Sequence, residues 1–350
     1  MKKMLSILLA MALVLGLAST AFAADKIGVA MPTQSLQRWN QDGANMKAQL
    51  EAAGYEVDLQ YANNEVALQV TQLEQMLLGE VKVLVVASID GSALGSVLAT
   101  AKDMNVPVIA YDRLIRETDA VSYYATFDNY KVGTIQGQYV ADQLGLADGA
   151  GPFNIEFTGG SPDDNNALYF FNGAFDILKP YIDNGQLVVP SGQTEFTQVA
   201  TLNWDPATSQ ARMDNLLAAN YSTDTKLDAV VCSNDSTAQG VTNALVNAGY
   251  TEFPIITGQD CDVPSMINML QGRQSMSVFK DTRTLAEKVV GMVDAVVKGT
   301  EPEINDTVTY DNGVYVVPSF LCDPVFADLS NYEALLIESG YYTADQLVVE

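Results

Sequence analysis

The sequence predicts an α/β protein built on parallel β-sheets, and three observations support this fold class. Short apolar runs rich in β-branched residues alternate with longer segments of helical periodicity. These runs are continuously apolar, which is typical of strands covered on both faces. Six of them end on, or lead shortly to, polar residues such as Arg, Asp, Asn and Lys. Ligands of open parallel sheets bind beyond the carboxyl ends of the strands, so we expect one polar pocket there.

The first half of the chain alternates regularly between strand and helix. Gly54 and Gly79 follow the first two helical segments, a common position for glycine at a helix C-terminus. The predicted elements are, in order, strand Lys26–Met31, helix Gln37–Ala53, strand Val57–Tyr61, helix Glu65–Leu78, strand Val81–Ala87, a helix opening near residues 90–92, strand Val106–Tyr111 and strand Val121–Phe127.

The alternation restarts after residues 128–129, and no low-complexity linker separates the halves. We therefore expect the halves to be joined by several chain crossings rather than by one tether. The predicted elements are helix Tyr130–Leu144, strand Phe153–Phe157, helix Asn165–Leu178, strand Leu187–Val189, helix Pro206–Ala219, strand Leu227–Cys232, helix Ser236–Ala248, strand Phe253–Thr257, strand Met276–Phe279, helix Asp281–Val297 and two short extended pieces, Thr307–Tyr310 and Val314–Val317.

Residues 1–23 have the composition of a secretory signal peptide. Two lysines form a basic start, residues 5–17 are apolar, and Ala21–Ala23 is a small-residue cleavage site. The short apolar segment disfavours the alternative, an N-terminal membrane anchor. Because the next residue is Ala24, no cysteine for lipid attachment follows the cleavage site. We therefore expect a freely soluble product in a bacterial periplasm.

Length and charge restrict the possible domain organisation and the possible binding partners. Removal of the signal peptide would leave 327 residues with a net charge of −27. This length exceeds the ~250–300 residues at which one hydrophobic core stops growing, so we predict two lobes. A strongly acidic surface repels phosphate backbones and anionic lipids, so we expect no nucleic-acid partner.

The residue types that are missing disfavour most catalytic classes. The sequence contains no histidine, so the usual general base, the usual zinc ligand and every Ser-His-Asp arrangement are missing. No phosphate-binding glycine motif and no calcium-loop motif occur, so we expect no cofactor and no metal site. Cys232, Cys261 and Cys322 leave at least one thiol unpaired within the chain. A Cys232–Cys261 disulfide and buried free thiols both remain open.

Seven short segments, most of them at predicted strand ends, carry a family resemblance. They are Arg38-Trp39, Ala110–Arg113, Phe127–Asn129, Gly159–Ala167, Ser233–Asp235, Gly258–Asp260 and Val278–Lys280. In these segments the chain resembles the periplasmic monosaccharide-binding proteins of ABC importers, in the branch of xylose-binding and multiple-sugar-binding receptors. The resemblance covers essentially the whole mature chain. It implies a type 1 periplasmic binding protein fold, with two Rossmann-like lobes joined by a three-strand hinge.

The resemblance also implies lobe boundaries and partners. The N-terminal lobe would contain residues 24–127 plus 281–305, and the C-terminal lobe would contain 128–280 plus 306–350. We expect a monomer that closes on one sugar and docks on a membrane ABC permease or on a sensor.

Ten ligand-binding residues follow from the resemblance. They are Arg38, Trp39, Asp112 and Arg113 from the first lobe, and Asp164, Asn166, Trp204, Asn234, Asp260 and Lys280 from the second lobe and the hinge. Such side chains suit a sugar, since charged and amide groups bond to hydroxyls while flat tryptophan faces cover C–H faces. Three cationic and three anionic side chains balance in this set, so we expect a neutral ligand.

We therefore predict a periplasmic solute-binding protein, not an enzyme, that captures a neutral aldose and delivers it to an ABC-type permease. One alternative is a receptor that presents sugar to a chemotaxis or two-component sensor. Another is a glycosidase that uses Asp112 with Asp164 or Asp260, although neighbouring arginines would lower the pKa of a catalytic acid. Pentoses and hexoses both remain open as ligands.

Overall fold

The computed structural model describes residues 24–221 and 225–349, so the predicted signal peptide lies outside the described residues. Twelve strands are present in this part of the chain: β1 Lys26–Met31, β2 Glu56–Tyr61, β3 Val83–Val86, β4 Val108–Tyr111, β5 Val121–Phe127, β6 Phe153–Thr158, β7 Leu187–Val188, β8 Ala229–Cys232, β9 Ile255–Ile256, β10 Ser277–Phe279, β11 Ser319–Cys322 and β12 Val325–Ala327.

Helices connect most of these strands. The α-helices of the described residues are α1 Gln37–Ala52, α2 Val66–Leu78, α3 Gly95–Asp103, α4 Asn129–Gln143, α5 Asn165–Asp183, α6 Phe196–Val199, α7 Pro206–Asn220, α8 Asp235–Asn247, α9 Val263–Leu270 and α10 Thr282–Lys298. Shorter helical turns follow at Leu146–Asp148, Leu202–Trp204, Glu333–Glu338 and Ala344–Leu347. None of the helices in the described ranges has the length and apolar character that crossing a bilayer requires.

The strands form two parallel sheets and one small antiparallel pair. The first sheet has the order β11-β5-β4-β3-β1-β2, and all of its neighbours run parallel. The second sheet has the order β7-β6-β8-β9 and is also parallel. Strands β10 and β12 form a separate antiparallel pair. The predicted α/β class with parallel sheets is confirmed.

Buried apolar clusters cover both faces of the first sheet. One cluster contains Ile27 and Val85 together with Val289 of α10. The cluster on the opposite face contains Leu84 and Leu98 of α3. Burial on both faces explains why the strands are continuously apolar in sequence.

The chain passes three times between the sheets within the described residues. These crossings follow β5, β10 and β11, and they agree with the three-strand hinge of the type 1 periplasmic binding protein fold. From the sheets we infer a first lobe of residues 24–127 plus 281–322 and a second lobe of 128–280 plus 323–349.

This division differs from the predicted one in residues 306–322, which were expected in the C-terminal lobe. Strand β11 pairs in parallel with β5 and so completes the edge of the first sheet. Tyr310 and Val317 pack in the apolar cluster that also holds Tyr124 and Val108. The segment therefore packs with the first sheet, and the boundary that we infer follows residue 322 instead of lying at residue 306.

Helices α4 and α5 pack closely through glycines. A Cβ atom added to Gly133 would lie 2.1 Å from the backbone oxygen of Phe170, and one added to Gly173 would lie 2.2 Å from that of Tyr130. Since real Cβ atoms do not approach backbone oxygens this closely, only glycine allows the two helix backbones to meet here.

All three cysteines are buried free thiols in the described part of the chain. The open question of a Cys232–Cys261 disulfide is therefore resolved in favour of separate thiols that pack as small apolar residues.

Candidate ligand-binding site

The polar ends of the strands converge on one cavity between the two sheets. The side chains that line the cavity are mostly buried. It is lined by Leu36, Arg38, Trp39, Asp112, Arg113, Asp164, Asn166, Phe170, Trp204, Asn234, Ser236, Gln259, Asp260, Asp262 and Lys280. The structure thus brings all ten residues of the predicted site together, and five further residues join them.

Arg38 lies at the centre of the ionic groups in this cavity. Its three guanidinium nitrogens each reach a different carboxylate: Nε donates to Asp42 at 2.6 Å, Nη2 to Asp112 at 2.6 Å, and Nη1 to Asp260 at 2.9 Å. Asp42 lies one turn further along α1, whereas Asp112 follows β4 and Asp260 follows β9. Arg38 therefore connects both lobes across the cavity.

Asp112 is held in an unusual backbone conformation that directs it into the site. Its φ of 58° is in the left-handed region, which costs free energy for a residue with a side chain. Its carbonyl oxygen accepts hydrogen bonds from Tyr124 Oη at 2.6 Å, Thr126 Oγ1 at 2.9 Å and Asn166 Nδ2 at 2.6 Å. These three donors stabilise the strained backbone, and Asn166 does so from the opposite lobe.

The ionisation of Asp112 follows from its cationic neighbours. Burial alone would raise the pKa of Asp112, but the charges of Arg38 and Lys280 hold it below its ordinary value. Asp112 is therefore an anionic acceptor at neutral pH and does not suit the role of a general acid.

Arg113 joins an aromatic ring to a second carboxylate. Its guanidinium centre lies 4.9 Å from the ring centroid of Trp39, a cation–π distance. Its Nη1 donates to the carbonyl of Ser88 at 3.0 Å, and its Nε lies 3.0 Å from Asp164 Oδ2 across the cleft. Burial raises the pKa of Asp164 despite the opposing charge of Arg113.

Two predicted residues combine helix capping with a place in the cavity wall. Asp164 is the N-cap of α5 and accepts from the backbone N–H of Asn166 at 3.0 Å. Asn234 is the N-cap of α8 and accepts from the backbone N–H of Thr237 at 3.0 Å. Both helices therefore direct their positive ends toward the cavity, where they favour oxygen-rich groups.

Lys280 and Asp260 form the remaining ion pair of the cavity. Lys280 Nζ lies 3.0 Å from Asp260 Oδ1, the same oxygen that Arg38 binds. The ammonium group also lies 5.5 Å from the ring centroid of Phe170. Asp260 has a φ of 97°, so its side chain is again placed by a strained backbone.

Trp204 closes the cavity on the second-lobe side and depends on a glycine. The residue has a φ of 57°, is 4% exposed and packs edge-to-face on Phe170 at 6.1 Å between ring centroids. Gly160 lies directly under the indole, since an added Cβ would be 1.9 Å from its Cη2 atom. The glycine lets the ring lie flat against the chain after β6.

Replacing Gly160 with alanine is expected to displace the Trp204 indole from the cavity wall. We expect ligand affinity to fall by roughly 10-fold or more, because an aromatic contact worth about 1 kcal/mol and the surrounding packing are both disturbed. Isothermal titration calorimetry of the variant, with thermal unfolding to confirm its fold, measures this loss. Unchanged affinity would mean that the ring does not contact the ligand.

The charge balance of the cavity differs from the predicted one. The predicted set omitted Asp42, which binds Arg38, and Asp262, which lines the cavity. Burial raises the pKa of Asp42 to about 6, and burial with the neighbouring charge of Asp260 raises that of Asp262 to about 8. Asp262 is therefore neutral at pH 7, and Asp42 adds one negative charge behind the cavity wall, where it is paired with Arg38.

Five cavity residues were missing from the prediction: Leu36, Phe170, Ser236, Gln259 and Asp262. Ser236, Gln259 and Asp262 lie within two residues of predicted site residues, so their adjacency in sequence was an available signal. Leu36 and Phe170 are apolar, and their sequence positions do not distinguish them from core residues.

The C-terminal segment contacts both lobes beside the cavity. The hydroxyl of Tyr342 accepts from Gln37 Nε2 at 2.9 Å and from Gln41 Nε2 at 2.8 Å, both on α1. The same hydroxyl donates to the carbonyl of Cys261 at 3.0 Å in the second lobe. One side chain of this segment therefore bonds to both sides of the cleft.

Two curated relatives match nearly the whole chain. The multiple sugar-binding periplasmic receptor ChvE of Rhizobium radiobacter is 54% identical over 333 residues, which cover 93% of this chain and 94% of that protein. The D-xylose-binding periplasmic protein of Escherichia coli strain K12 is 34% identical over 322 residues, which cover 92% of each chain.

Solved structures agree with these sequence matches. An ABC transporter solute-binding protein from Clostridium phytofermentans with bound β-D-glucose has a TM-score of 0.91 and 62% identity, and the match covers 93% of this chain and 100% of that chain. A carbohydrate transporter solute-binding protein from Chloroflexus aurantiacus in complex with D-glucose has a TM-score of 0.83 and 33% identity, covering 92% and 98%.

A family model described as a periplasmic binding protein domain matches residues 27–301. This match spans most of the chain and all strands of the two parallel sheets except β11, and the relatives confirm the resemblance seen at the strand ends. The chain belongs to the periplasmic binding protein family.

Proposed function

We propose that this protein is a periplasmic solute-binding protein that captures a neutral aldose between its two lobes and delivers it to an ABC-type sugar permease. The observation that carries the proposal is the cavity itself. It combines two tryptophans with ionic groups that are already paired with one another.

The chemistry of the cavity fits an uncharged polyol ring. Each sugar hydroxyl can donate one hydrogen bond and accept others, and the cavity offers both charged acceptors and charged donors. Because an unpaired buried polar group costs about 1–3 kcal/mol, an epimer with one misdirected hydroxyl is rejected. A charged ligand would add an uncompensated charge to these paired groups.

Closure of the two lobes fits the contacts across the cleft. The Arg38–Asp260 pair and the Arg113–Asp164 pair each join residues of opposite lobes. A ligand that bonds to both lobes stabilises the closed form by its differential affinity, which a permease then recognises. The proposed event is binding and release, without a covalent step.

The relatives support an aldose as the ligand class. ChvE is named a multiple sugar-binding receptor, and the two solved relatives contain glucose. We infer that D-glucose is a ligand of this chain, and that other neutral aldoses such as D-xylose bind to the same cavity. We further propose a periplasmic location after removal of residues 1–23, a monomeric state, and no nucleic-acid partner.

Isothermal titration calorimetry of the mature protein tests the proposal directly. We expect D-glucose and D-xylose to bind with a Kd on the order of 1 μM or tighter, a free energy of about −8 kcal/mol or more favourable. D-Glucose 6-phosphate serves as the charged comparator and is expected not to bind. Failure of every neutral aldose to bind, or release of product from an aryl glucoside, would contradict the proposal.

A further inference from the structure

Asp262 occupies a helix N-cap position without capping its helix. It directly precedes α9, but its side chain makes no cap hydrogen bond. Asp164 and Asn234 occupy the same position on their helices, and both accept a backbone N–H while they line the cavity. The Asp262 carboxyl group therefore differs from its counterparts in being available to another partner.

Asp262 forms part of the wall of the ligand cavity. The residue lines that cavity and is only 5% exposed. Its Oδ1 atom is buried and has no hydrogen-bond partner within residues 24–221 and 225–349. An unpaired buried polar atom costs about 1–3 kcal/mol, so a partner that arrives with the ligand would remove this cost.

Neighbouring groups explain why this carboxyl group holds a proton. Asp235 and Asp260 lie close on the second-lobe side, and Asp42 faces it from α1. The two cations that face it are already engaged, since Arg38 and Lys280 both bind Asp260 Oδ1.

The remaining titratable neighbours do not change charge near neutral pH. Burial raises the pKa of Cys261 and also that of Tyr342, so both stay neutral. Burial together with the Asp260 charge raises the pKa of Asp262 itself to about 8.

Burial and the charges of Asp262 and Asp260 raise the pKa of Asp235 as well, but the hydrogen bonds of Asp235 place the proton of this pair on Asp262. Asp235 accepts from Ser277 Oγ at 2.9 Å, from Gln274 Nε2 at 2.9 Å and from the backbone N–H of Asp262 at 2.8 Å. Its oxygens are thus occupied by other donors. The O–H of Asp262 remains free to point into the cavity.

We propose that Asp262 is a ligand-binding residue that donates a hydrogen bond from its neutral carboxyl group to an oxygen of the bound aldose. This inference rests on the proposed function. Asp262 would give the cavity an uncharged hydrogen-bond donor beside ionised carboxylates, which can only accept hydrogen bonds.

The test is a titration of D-glucose by calorimetry between pH 7 and 9.5, above the range in which Asp42 changes charge. Wild-type affinity is expected to weaken progressively above pH 8, as the donor is lost, and to fall by about tenfold or more by pH 9.5. Asp262→Asn keeps a neutral donor, so its affinity should lie within about threefold of wild type at pH 7 and stay constant with pH. Asp262→Ala should bind about tenfold more weakly throughout.

Asp228→Asn is the matched control. Asp228 directly precedes β8, so it lies at the amino-terminal end of this strand, whereas the cavity lies beyond the carboxyl ends. Its Oδ2 accepts from the backbone N–H of Asn154, a bond that the asparagine oxygen retains. This variant should follow the wild-type profile at every pH. Thermal unfolding checks each fold, and if Asp262→Ala does not fold, the pH profile of Asp262→Asn decides.

The outcomes separate this inference from the function on which it rests. If wild-type protein binds no aldose at any pH, the proposed function fails. If wild type binds D-glucose but Asp262→Ala binds equally well, the role of Asp262 is wrong. A wild-type profile that is independent of pH, or an Asp262→Asn variant as weak as Asp262→Ala, would also overturn it.

Discussion

Replacing Arg38 with methionine is expected to abolish aldose binding and to lower the free energy of unfolding by about 3–5 kcal/mol. The guanidinium group bonds to Asp42, Asp112 and Asp260 at 2.6, 2.6 and 2.9 Å, and all four side chains are buried. Removal of the cation leaves three carboxylates close together in a medium that solvates them poorly. Calorimetric titration with D-glucose measures the loss of binding, and urea denaturation measures the loss of stability.

Lys47→Met on the same helix is the matched control. Lys47 forms an ion pair with Glu51 at 3.0 Å, with the same four-residue spacing as Arg38 and Asp42. Both side chains of this pair are about half exposed, so we expect the free energy of unfolding to change by less than about 1 kcal/mol and ligand binding to be normal. Comparable losses of stability in the two variants would show that burial does not determine how much the ion pairs of Arg38 contribute to the free energy of unfolding.

The second large effect is expected from Gly173→Ala. An added Cβ would lie 2.2 Å from the oxygen of Tyr130 and 2.9 Å from the nitrogen of Thr134, so α4 and α5 must separate. Overpacking of this kind costs about 1–3 kcal/mol, and we expect at least that loss in the free energy of unfolding. Because the cavity residues Asp164 and Asn166 lie at the start of α5, ligand affinity should fall as well. Urea denaturation and calorimetric titration measure both losses.

Gly291→Ala provides the comparison for this variant. Gly291 lies inside α10, and an added Cβ would have no atom within 4 Å among the described residues. Alanine there should raise the free energy of unfolding by about 0.5–1 kcal/mol. The added methyl group meets no neighbouring atom, and alanine favours the helix more than glycine does. A destabilised Gly291→Ala variant would contradict the assignment of the Gly173 effect to the close approach of two helices.

Much of the site could be predicted because parallel strands impose its geometry. Their carboxyl ends meet at one edge, so residues as distant as Arg38, Asp112 and Lys280 had to lie near one another. The family resemblance then identified which residues at those ends face the cavity. That they bind a ligand remains a prediction.

Other features depend on long-range packing that local sequence does not encode. Strand β11 joins β5 although about 190 residues separate them, so the short run Ser319–Cys322 gave no sign of the lobe to which it belongs. Helix α9 was not predicted at all. The charge state of Asp262 follows from burial among other carboxylates, and this burial emerges only when the lobes are assembled.

The position of Tyr342 makes the carboxyl-terminal end of the chain a natural site for an optical sensor. Its hydroxyl bonds to Gln37, Gln41 and Cys261, so any separation of the lobes must break contacts only a few residues from the last turn of the protein. An environment-sensitive dye attached near residue 345, which is exposed, would therefore change its emission when sugar is captured, without occupying the cavity.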